Sequence, residues 1–180
     1  FYSNKPSEGS VALSTDGGVT WGSISQVNWR EWQDSPAQFF FDHNSGQVIY
    51  AVPKEGDIYL SEDGGKTWGT CGKPSIQSYG YDSPLAMDLS DSSRVYLATR
   101  GKGILISADG CQTWQPSGLN DLYVSTVAID PNNPEMLYAG TDSGAYVTFD
   151  SGITWGQVND GLLGATVVYS IVIDKDSNVY

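Results

Sequence analysis

The residues best suited to bind a ligand are aromatic and basic side chains that cluster between apolar, strand-forming segments. The segment 27–36 places two tryptophans on either side of an Arg-Glu pair, and later connections carry further tyrosines. Exposed aromatic rings stack on sugar rings or hold apolar peptide side chains, while neighbouring charged groups fix the orientation. Packing of the tryptophans between strands is the alternative interpretation. The predicted ligand contacts are Trp29, Arg30, Trp32, Tyr79, Tyr81, Arg100 and Tyr123.

Carboxylates on the same connections are the candidates for catalysis, because glycosidic bond cleavage uses two Asp or Glu residues that flank the scissile bond. Nothing in the local sequence marks any of them as having a raised pKa, so we assign no catalytic residue. His43, the single histidine, follows Asp42 in a polar turn and is predicted to be a turn residue rather than part of a Ser-His-Asp triad. The candidate carboxylates are Glu31, Asp34, Glu55, Asp82, Asp121 and Asp142.

Four further aspartates, Asp42, Asp88, Asp130 and Asp174, recur at a nearly constant interval. A ring of such carboxylates would suit a metal ion, but an Asp that ends an apolar strand before a polar turn is more often a turn cap. The run 130–134 also lacks the ligand spacing of a calcium loop. We therefore predict four turn caps, with no metal and no cofactor.

Composition restricts the possible partners. The 180 residues are 39% hydrophobic and 12% aromatic, which indicates a folded chain. The formal charge of −12 disfavours nucleic acid and anionic membrane surfaces, and no apolar run reaches the ~18 residues of a membrane span. Cys71 and Cys111 have no metal-ligand spacing and lie beside similar turns in neighbouring repeats, so two separate thiols are favoured over a disulfide.

Two sequence patterns share one period. An eight-residue pattern of the form Ser-x-Asp-Gly-Gly-x-Thr-Trp occurs four times, with its aspartates 47, 46 and 41 residues apart. Between the copies lies an apolar strand that ends in Asp, followed by a turn and a second strand containing Tyr. The Asp and Trp of the four copies are predicted to be structural: Asp16 and Trp21, Asp63 and Trp68, Asp109 and Trp114, and Asp150 and Trp155.

A period in the forties that is filled with short β-rich runs is typical of four-stranded propeller blades. The sequence therefore predicts an all-β chain, a partial β-propeller of about four four-stranded blades and a single domain over 1–180. Since the chain starts and stops within a blade, we expect it to belong to a six- to eight-bladed wheel, completed by the same protein or by a second chain. The expected blade portions are 1–35, 36–83, 84–123, 124–166 and 167–180.

The eight-residue pattern is explained by turn chemistry. The carboxylate accepts hydrogen bonds from backbone N–H groups in a tight turn, and the glycines supply positive φ angles. Cys111 and Ser151 replace a glycine in the third and fourth copies, where we expect a strained or differently shaped turn.

These residues resemble the Asp-box, or bacterial neuraminidase repeat, of several propeller families. The segments 127–134 and 137–141 look most like photosystem II assembly-factor-like proteins and xyloglucanases; sortilin-type receptors and sialidases share the repeat. The resemblance implies a rigid wheel that binds through loops opposite the Asp boxes. We expect a non-catalytic propeller that binds a protein or glycan, with a glycoside hydrolase fragment as the alternative, in an extracellular or periplasmic setting. A sialidase would need an arginine cluster, and the chain has only Arg30, Arg94 and Arg100.

Overall fold

The computed structural model describes residues 9–27, 38–42, 44–53, 57–72, 74, 84–162 and 167–180. Over these residues all regular structure is β, in fourteen strands, and no helix is present. None of the described residues therefore forms a helix long and apolar enough to cross a membrane.

The strands form one two-stranded and three four-stranded antiparallel sheets, which we call blades 1 to 4. Blade 1 contains β1 (Gly9–Leu13) and β2 (Gly22–Val27); blade 2 contains β3 (Gln38–Phe41), β4 (Ile49–Val52), β5 (Tyr59–Ser61) and β6 (Gly69–Thr70). Blade 3 contains β7 (Leu85–Met87), β8 (Val95–Ala98), β9 (Ile104–Ser107) and β10 (Gln115–Pro116); blade 4 contains β11 (Val124–Asp130), β12 (Asn133–Thr141), β13 (Gly144–Thr148) and β14 (Gly156–Gln157). Neighbours in each sheet are neighbours in sequence, so the prediction of a partial β-propeller is confirmed.

The core lies between blades, and both faces of the sheet of blade 3 are covered. All four residues of β8 are buried. Val95 and Leu97 belong to a cluster shared with blade 2, whereas Tyr96 and Ala98 belong to a cluster shared with blade 4. Successive side chains of a strand point to opposite faces, so the continuous apolar run of β8 stabilises two blade interfaces at once.

The four eight-residue turns, here called Asp-box turns, adopt one conformation. In each, the hydroxyl of the first residue, Ser or Thr, donates to the Asp carboxylate at 2.7–2.9 Å. The backbone N–H of the Thr that precedes the Trp donates to the same carboxylate at 2.8–2.9 Å. Cys111 (φ 65°) and Ser151 (φ 58°) take the left-handed conformation that glycine adopts in the other copies. The expectation of a different turn shape is thus wrong, while the strained backbone is present.

The expectation of two separate thiols is also wrong. Cys71 and Cys111 form a disulfide with their Cα atoms 5.1 Å apart. Cys71 directly follows the outer strand of blade 2, and Cys111 lies in the Asp-box turn of blade 3. The two meet because that turn packs directly against the preceding blade, where the N–H of Gly72 donates to the carbonyl of Cys111 at 2.8 Å.

The aspartates at the ends of the inner strands cap turns, as predicted. The carboxylates of Asp42, Asp88, Asp130 and Asp174 each accept a hydrogen bond from the backbone N–H two residues later, at 2.8–2.9 Å. Asp88 also forms an ion pair with Arg94 at 3.3 Å. The oxygens thus serve the first turn of each blade, which accounts for their recurrence.

Candidate functional site

The propeller has two faces of different character. One, the Asp-box face, carries the Asp-box turns and the turns between first and second strands. Hydrogen bonds connect each Asp-box turn to the neighbouring blade. For example, the hydroxyl of Tyr96 in blade 3 donates to the carbonyl of Ser151 in the Asp-box turn of blade 4 at 3.1 Å. The other, the loop face, carries the turns between second and third strands together with the connections between blades. Because connections vary while the Asp-box turns repeat, a ligand site is expected on the loop face.

The loop face contains a cleft of about 260 Å³ between blades 3 and 4. Its position follows from topology, since the second-to-third turns of both blades and the connection between them meet there. The residues that line this loop-face cleft are Arg100, Tyr123, Val124, Ser125, Asp142, Val167 and Tyr169.

Backbone hydrogen bonds hold the walls of the cleft in place. Arg100 and Tyr123 form an antiparallel β-bridge, next to a bond from the N–H of Val124 to the carbonyl of Thr99 at 3.0 Å. On the other side, the N–H of Asp142 donates to the carbonyl of Tyr123 at 3.1 Å. The connection that carries Tyr123 is thus fixed to the turns of both blades, which makes the cleft a preformed feature.

The side chains of the cleft combine aromatic surface with both signs of charge. The guanidinium of Arg100 lies 6.0 Å from the centre of the Tyr123 ring, within the range of a cation–π contact. Tyr123 and Tyr169 are exposed over 52% and 63% of their surface. Arg100 and Asp142 occupy equivalent positions in successive second-to-third turns, so a cation and an anion stand on the two sides of the same connection.

Two of the predicted ligand contacts, Arg100 and Tyr123, meet in this cleft. The other five, Trp29, Arg30, Trp32, Tyr79 and Tyr81, lie outside the described residues, as do His43, Glu31, Asp34, Glu55 and Asp82. Tyr169 and Val167 were missed. Both lie in the segment before Asp174, where Val167 takes the position that Tyr123 has before Asp130 and Tyr169 takes the position of Ser125. This equivalence of position was the available signal.

The described carboxylates do not form a catalytic pair in the cleft. Asp142 is the single carboxylate among its described lining residues. Asp121 lies in the preceding connection, with a φ of 69°. Arg94 is on the Asp-box face, bound to Asp88, so the described arginines do not converge as a sialidase would require. The arrangement is suited to binding, and the described residues do not supply two acids to this cleft.

The Asp-box carboxylates are held as anions for structural reasons. The pKa of Asp63 is lowered to about 2, first by the hydrogen bond from the hydroxyl of Thr67 and then by its backbone N–H. The pKa values of the equivalent Asp16, Asp109 and Asp150 are lowered to about 2 in the same way. Such groups stay ionised throughout the range in which a general acid works, so they are unsuited to proton transfer.

A second cavity, of about 390 Å³, runs along the inner strands. Its walls include Phe40, Ala86, Val127 and Ile171, and are mostly apolar. Its two carboxylates, Asp88 and Asp130, are engaged in the turn caps. The cavity therefore lies on the axial side of the blades, and apart from these two aspartates its described lining residues include no titratable side chain.

Comparison with known proteins identifies the fold. No protein-family model matches the chain. An oligoxyloglucan-reducing end-specific xyloglucanase of Emericella nidulans is 32% identical over 82 residues, 41% of this chain and 10% of that protein. Among solved structures, an ancestral GH74 enzyme matches with a TM-score of 0.70 at 23% identity, over 93% of this chain and 25% of that one. YCF48 bound to a D1 peptide matches with a TM-score of 0.57 at 19% identity, over 81% of this chain and 48% of that one.

These likenesses establish the class of the chain as a partial β-propeller. The chain spans about a tenth of the xyloglucanase and a quarter of the ancestral GH74 enzyme that it matches. A shared fold does not by itself assign an activity or a ligand.

Proposed function

We propose that this chain is part of an Asp-box propeller that binds a neutral glycan, of the β-glucan type, through its loop face without cleaving it. The observation that carries this proposal is the loop-face cleft, which joins two exposed tyrosines to a cation and an anion on a fixed backbone. Sequence similarity to a xyloglucanase supports a glucan as the ligand class.

The chemistry of the cleft suits a hexose ring. The apolar face of a pyranose stacks on an aromatic ring, and the open sides of Tyr123 and Tyr169 offer two such surfaces. Arg100 can donate hydrogen bonds to ring hydroxyls, whereas Asp142 can accept them. A cleft of about 260 Å³ holds about one sugar unit, so a longer chain would continue along the loop face.

The charge of the protein favours an uncharged ligand. At a formal charge of −12 it repels polyanions such as acidic polysaccharides. Within the cleft, Asp142 offsets Arg100, so no net positive site is available for a carboxylate. A disulfide favours an oxidising compartment, which supports an extracellular or periplasmic setting. The complete glycan-binding propeller would have six to eight blades.

Calorimetry with xyloglucan oligosaccharides tests this function. Tyr123→Ala and Tyr169→Ala should each weaken binding about 3- to 10-fold, as expected from the loss of one stacking contact. Phe149→Ala is the matched control, because Phe149 is at least as exposed as either tyrosine but lies on the Asp-box face. Binding of peptides but of no neutral glycan would overturn the proposal, and so would binding that is insensitive to both tyrosine variants.

A glycoside hydrolase fragment is the second candidate, favoured by the xyloglucanase similarity and by Asp142 in the cleft. Its mechanism needs a second carboxylate opposite Asp142, about 5 or 6.5–9.5 Å away according to stereochemical outcome. Release of reducing ends from xyloglucan by the complete protein, abolished in Asp142→Asn with binding retained, would establish the hydrolase. Equal release by Asp142→Asn would remove Asp142 from the mechanism.

A further inference from the structure

The inner strand of blade 4 has a β-bulge where it borders the loop-face cleft. Val124 of β11 pairs with Thr141 of β12. The next pair joins Thr126 to Gly140, so Ser125 has no residue opposite it. A bulge turns a side chain out of the regular alternation of a strand, and bulges are common beside ligand sites. Ser125 lines the cleft, so this irregularity lies at the proposed binding site.

The hydroxyls of Ser125 and Thr126 are exceptions among the buried serines and threonines. Ser125 and Thr126 are 9% and 0% exposed, and neither hydroxyl has a hydrogen-bond partner among the residues that the structure describes. An unpaired buried hydroxyl costs free energy, so such a group needs an explanation. The other buried hydroxyls of the described ranges donate hydrogen bonds within the protein; they belong to Ser61, Thr99, Ser107, Ser117, Thr141 and Thr148.

The two unpaired hydroxyls differ in their access to a ligand. Ser125 lines the cleft, whereas the fully buried Thr126 is not among its lining residues. Val124 and Ser125 are the buried residues of the lining and form its floor, while Arg100 and Asp142 are exposed and form its rim. A ligand in the cleft can therefore pair with the hydroxyl of Ser125 but does not reach that of Thr126.

The small size of Ser125 also gives the cleft its depth. Tyr169 takes the same position in the next repeat, relative to Asp174, that Ser125 has relative to Asp130. The ring of Tyr169 is 63% exposed and forms part of the wall. A second ring at position 125 would fill the floor, so serine leaves both space and a hydroxyl there.

A β-1,4-linked pyranose unit has two lateral edges of different chemistry. One edge carries two neighbouring ring hydroxyls. The other carries the ring oxygen and, beside it, a hydroxymethyl group in a hexose or only hydrogen in a pentose. When the face of the sugar stacks on Tyr123 or Tyr169, one edge points to the rim and the other to the floor. Arg100 and Asp142 at the rim suit the paired hydroxyls, which leaves the hydroxymethyl group for Ser125.

We infer, on the basis of the proposed function, that Ser125 determines specificity by pairing its hydroxyl with the hydroxymethyl group of one hexose unit. A pentose unit leaves the hydroxyl of Ser125 unpaired, and a site built around such a hydrogen bond rejects the analogue that lacks it. A hexose whose hydroxymethyl group carries a branch meets the closed floor. The cleft thus selects an unbranched β-glucan unit over a xylan unit.

Calorimetry of the full chain with cellotetraose and xylotetraose tests the role of Ser125, because these oligosaccharides differ only by the hydroxymethyl groups. Cellotetraose should bind about 10-fold more tightly than xylotetraose. Ser125→Ala should weaken cellotetraose binding about 3- to 10-fold and xylotetraose binding less than about twofold, since only the hexose loses a hydrogen bond. Thr126→Val is the matched control, because it removes the neighbouring unpaired hydroxyl at nearly constant size and should leave both affinities unchanged.

Several outcomes would overturn the role of Ser125 while glycan binding stands. They are an equal change for both oligosaccharides in Ser125→Ala, no change for either, and an equal effect of Thr126→Val, which would point to local packing. Binding of xyloglucan oligosaccharides without binding of cellotetraose would overturn it too, because the cleft would then require a branch. Failure of every neutral glycan to bind would instead remove the proposed function, and the specificity with it.

Discussion

The guanidinium of Arg100 lies over the ring of Tyr123, and the backbones of the same two residues form a β-bridge. The second-to-third turn of blade 3 is thereby tied twice to the connection that enters blade 4. One tie fixes the backbone and the other fixes the ring plane. Arg100 therefore positions the aromatic wall of the cleft, and under the proposed function it would also donate hydrogen bonds to the glycan.

Replacing Arg100 should weaken glycan binding in a way that depends on the substituent. An exposed cation–π contact contributes about 0.5–1 kcal/mol, which corresponds to an affinity loss of about 2- to 5-fold in Arg100→Ala. Arg100→Lys keeps a cation and should recover part of that loss. Calorimetry with a xyloglucan oligosaccharide measures both variants. Arg94→Ala, on the Asp-box face, is the control that should leave affinity unchanged.

The Asp-box carboxylates predict a loss of stability in acid. Their pKa values are about 2 in the folded chain against an ordinary value of 3.8, because hydrogen bonds from Thr and backbone N–H groups favour the anion. A lowered folded-state pKa means that the unfolded chain binds more protons. The stabilisation is therefore complete above about pH 5 and is lost as the pH falls from there towards 2. Urea midpoints at pH 7, 4 and 2 measure it.

A single substitution separates this effect from general charge repulsion. Asp63→Asn keeps the size of the side chain but loses the charge that accepts bonds from Ser61, Lys66 and Thr67. It should lower the urea midpoint at pH 7, and the difference from the unaltered chain should shrink towards pH 2. Glu62→Gln, the exposed neighbour, removes the same charge without those bonds. Equal effects of the two variants would assign the acid sensitivity to net charge.

Much of the fold was predictable because its determinants are local. The Asp-box turn needs only a carboxylate, two positive φ angles and a threonine within eight residues, and all four copies carry enough of these to fold alike. The run before Asp88 is apolar at each position because both of its faces are covered. Such signals repeat with the blade, so the type and order of the strands follow from them.

The features that were missed depend on contacts between blades. Cys71 and Cys111 are 40 residues apart, and no local pattern shows that an outer strand end meets the next Asp-box turn. Tyr169 joins Arg100 and Tyr123 only because successive connections converge on one cleft. Side-chain convergence depends on the rotation between blades, which sequence spacing does not specify. The roles of Trp29, Trp32, Tyr79 and Tyr81 stay predictions.

The disulfide should stabilise the contact between blades 2 and 3. Closing a loop over a separation of 40 residues is worth about 2–4 kcal/mol of unfolding free energy. Cys71→Ser with Cys111→Ser should lose about this amount, since residue 111 keeps its left-handed backbone at a φ of 65°. Cys71→Ser with Cys111→Gly should lose about 1 kcal/mol less, because glycine adopts this φ without strain. Chemical denaturation of the two double variants measures the difference, and equal stability would show that residue 111 is unstrained.

Gly140 tests how closely the segment 167–180 packs on blade 4. A Cβ atom at Gly140 would lie 2.7 Å from the carbonyl oxygen of Val168 and 2.8 Å from a methyl group of Thr126. Backbone cannot move away cheaply, so Gly140→Ala should reduce the unfolding free energy by about 1–3 kcal/mol, as overpacking typically does. Gly156→Ala is the matched control in the outer strand of the same blade, where nothing lies within 4 Å of the added carbon. Hydrogen exchange of Val168, whose N–H donates to the carbonyl of Thr141 at 2.9 Å, should rise in Gly140→Ala alone. Similar exchange at Val168 in both variants would mean that this segment does not pack on blade 4 as the structure shows, and the wall of the cleft that carries Tyr169 would lose its support.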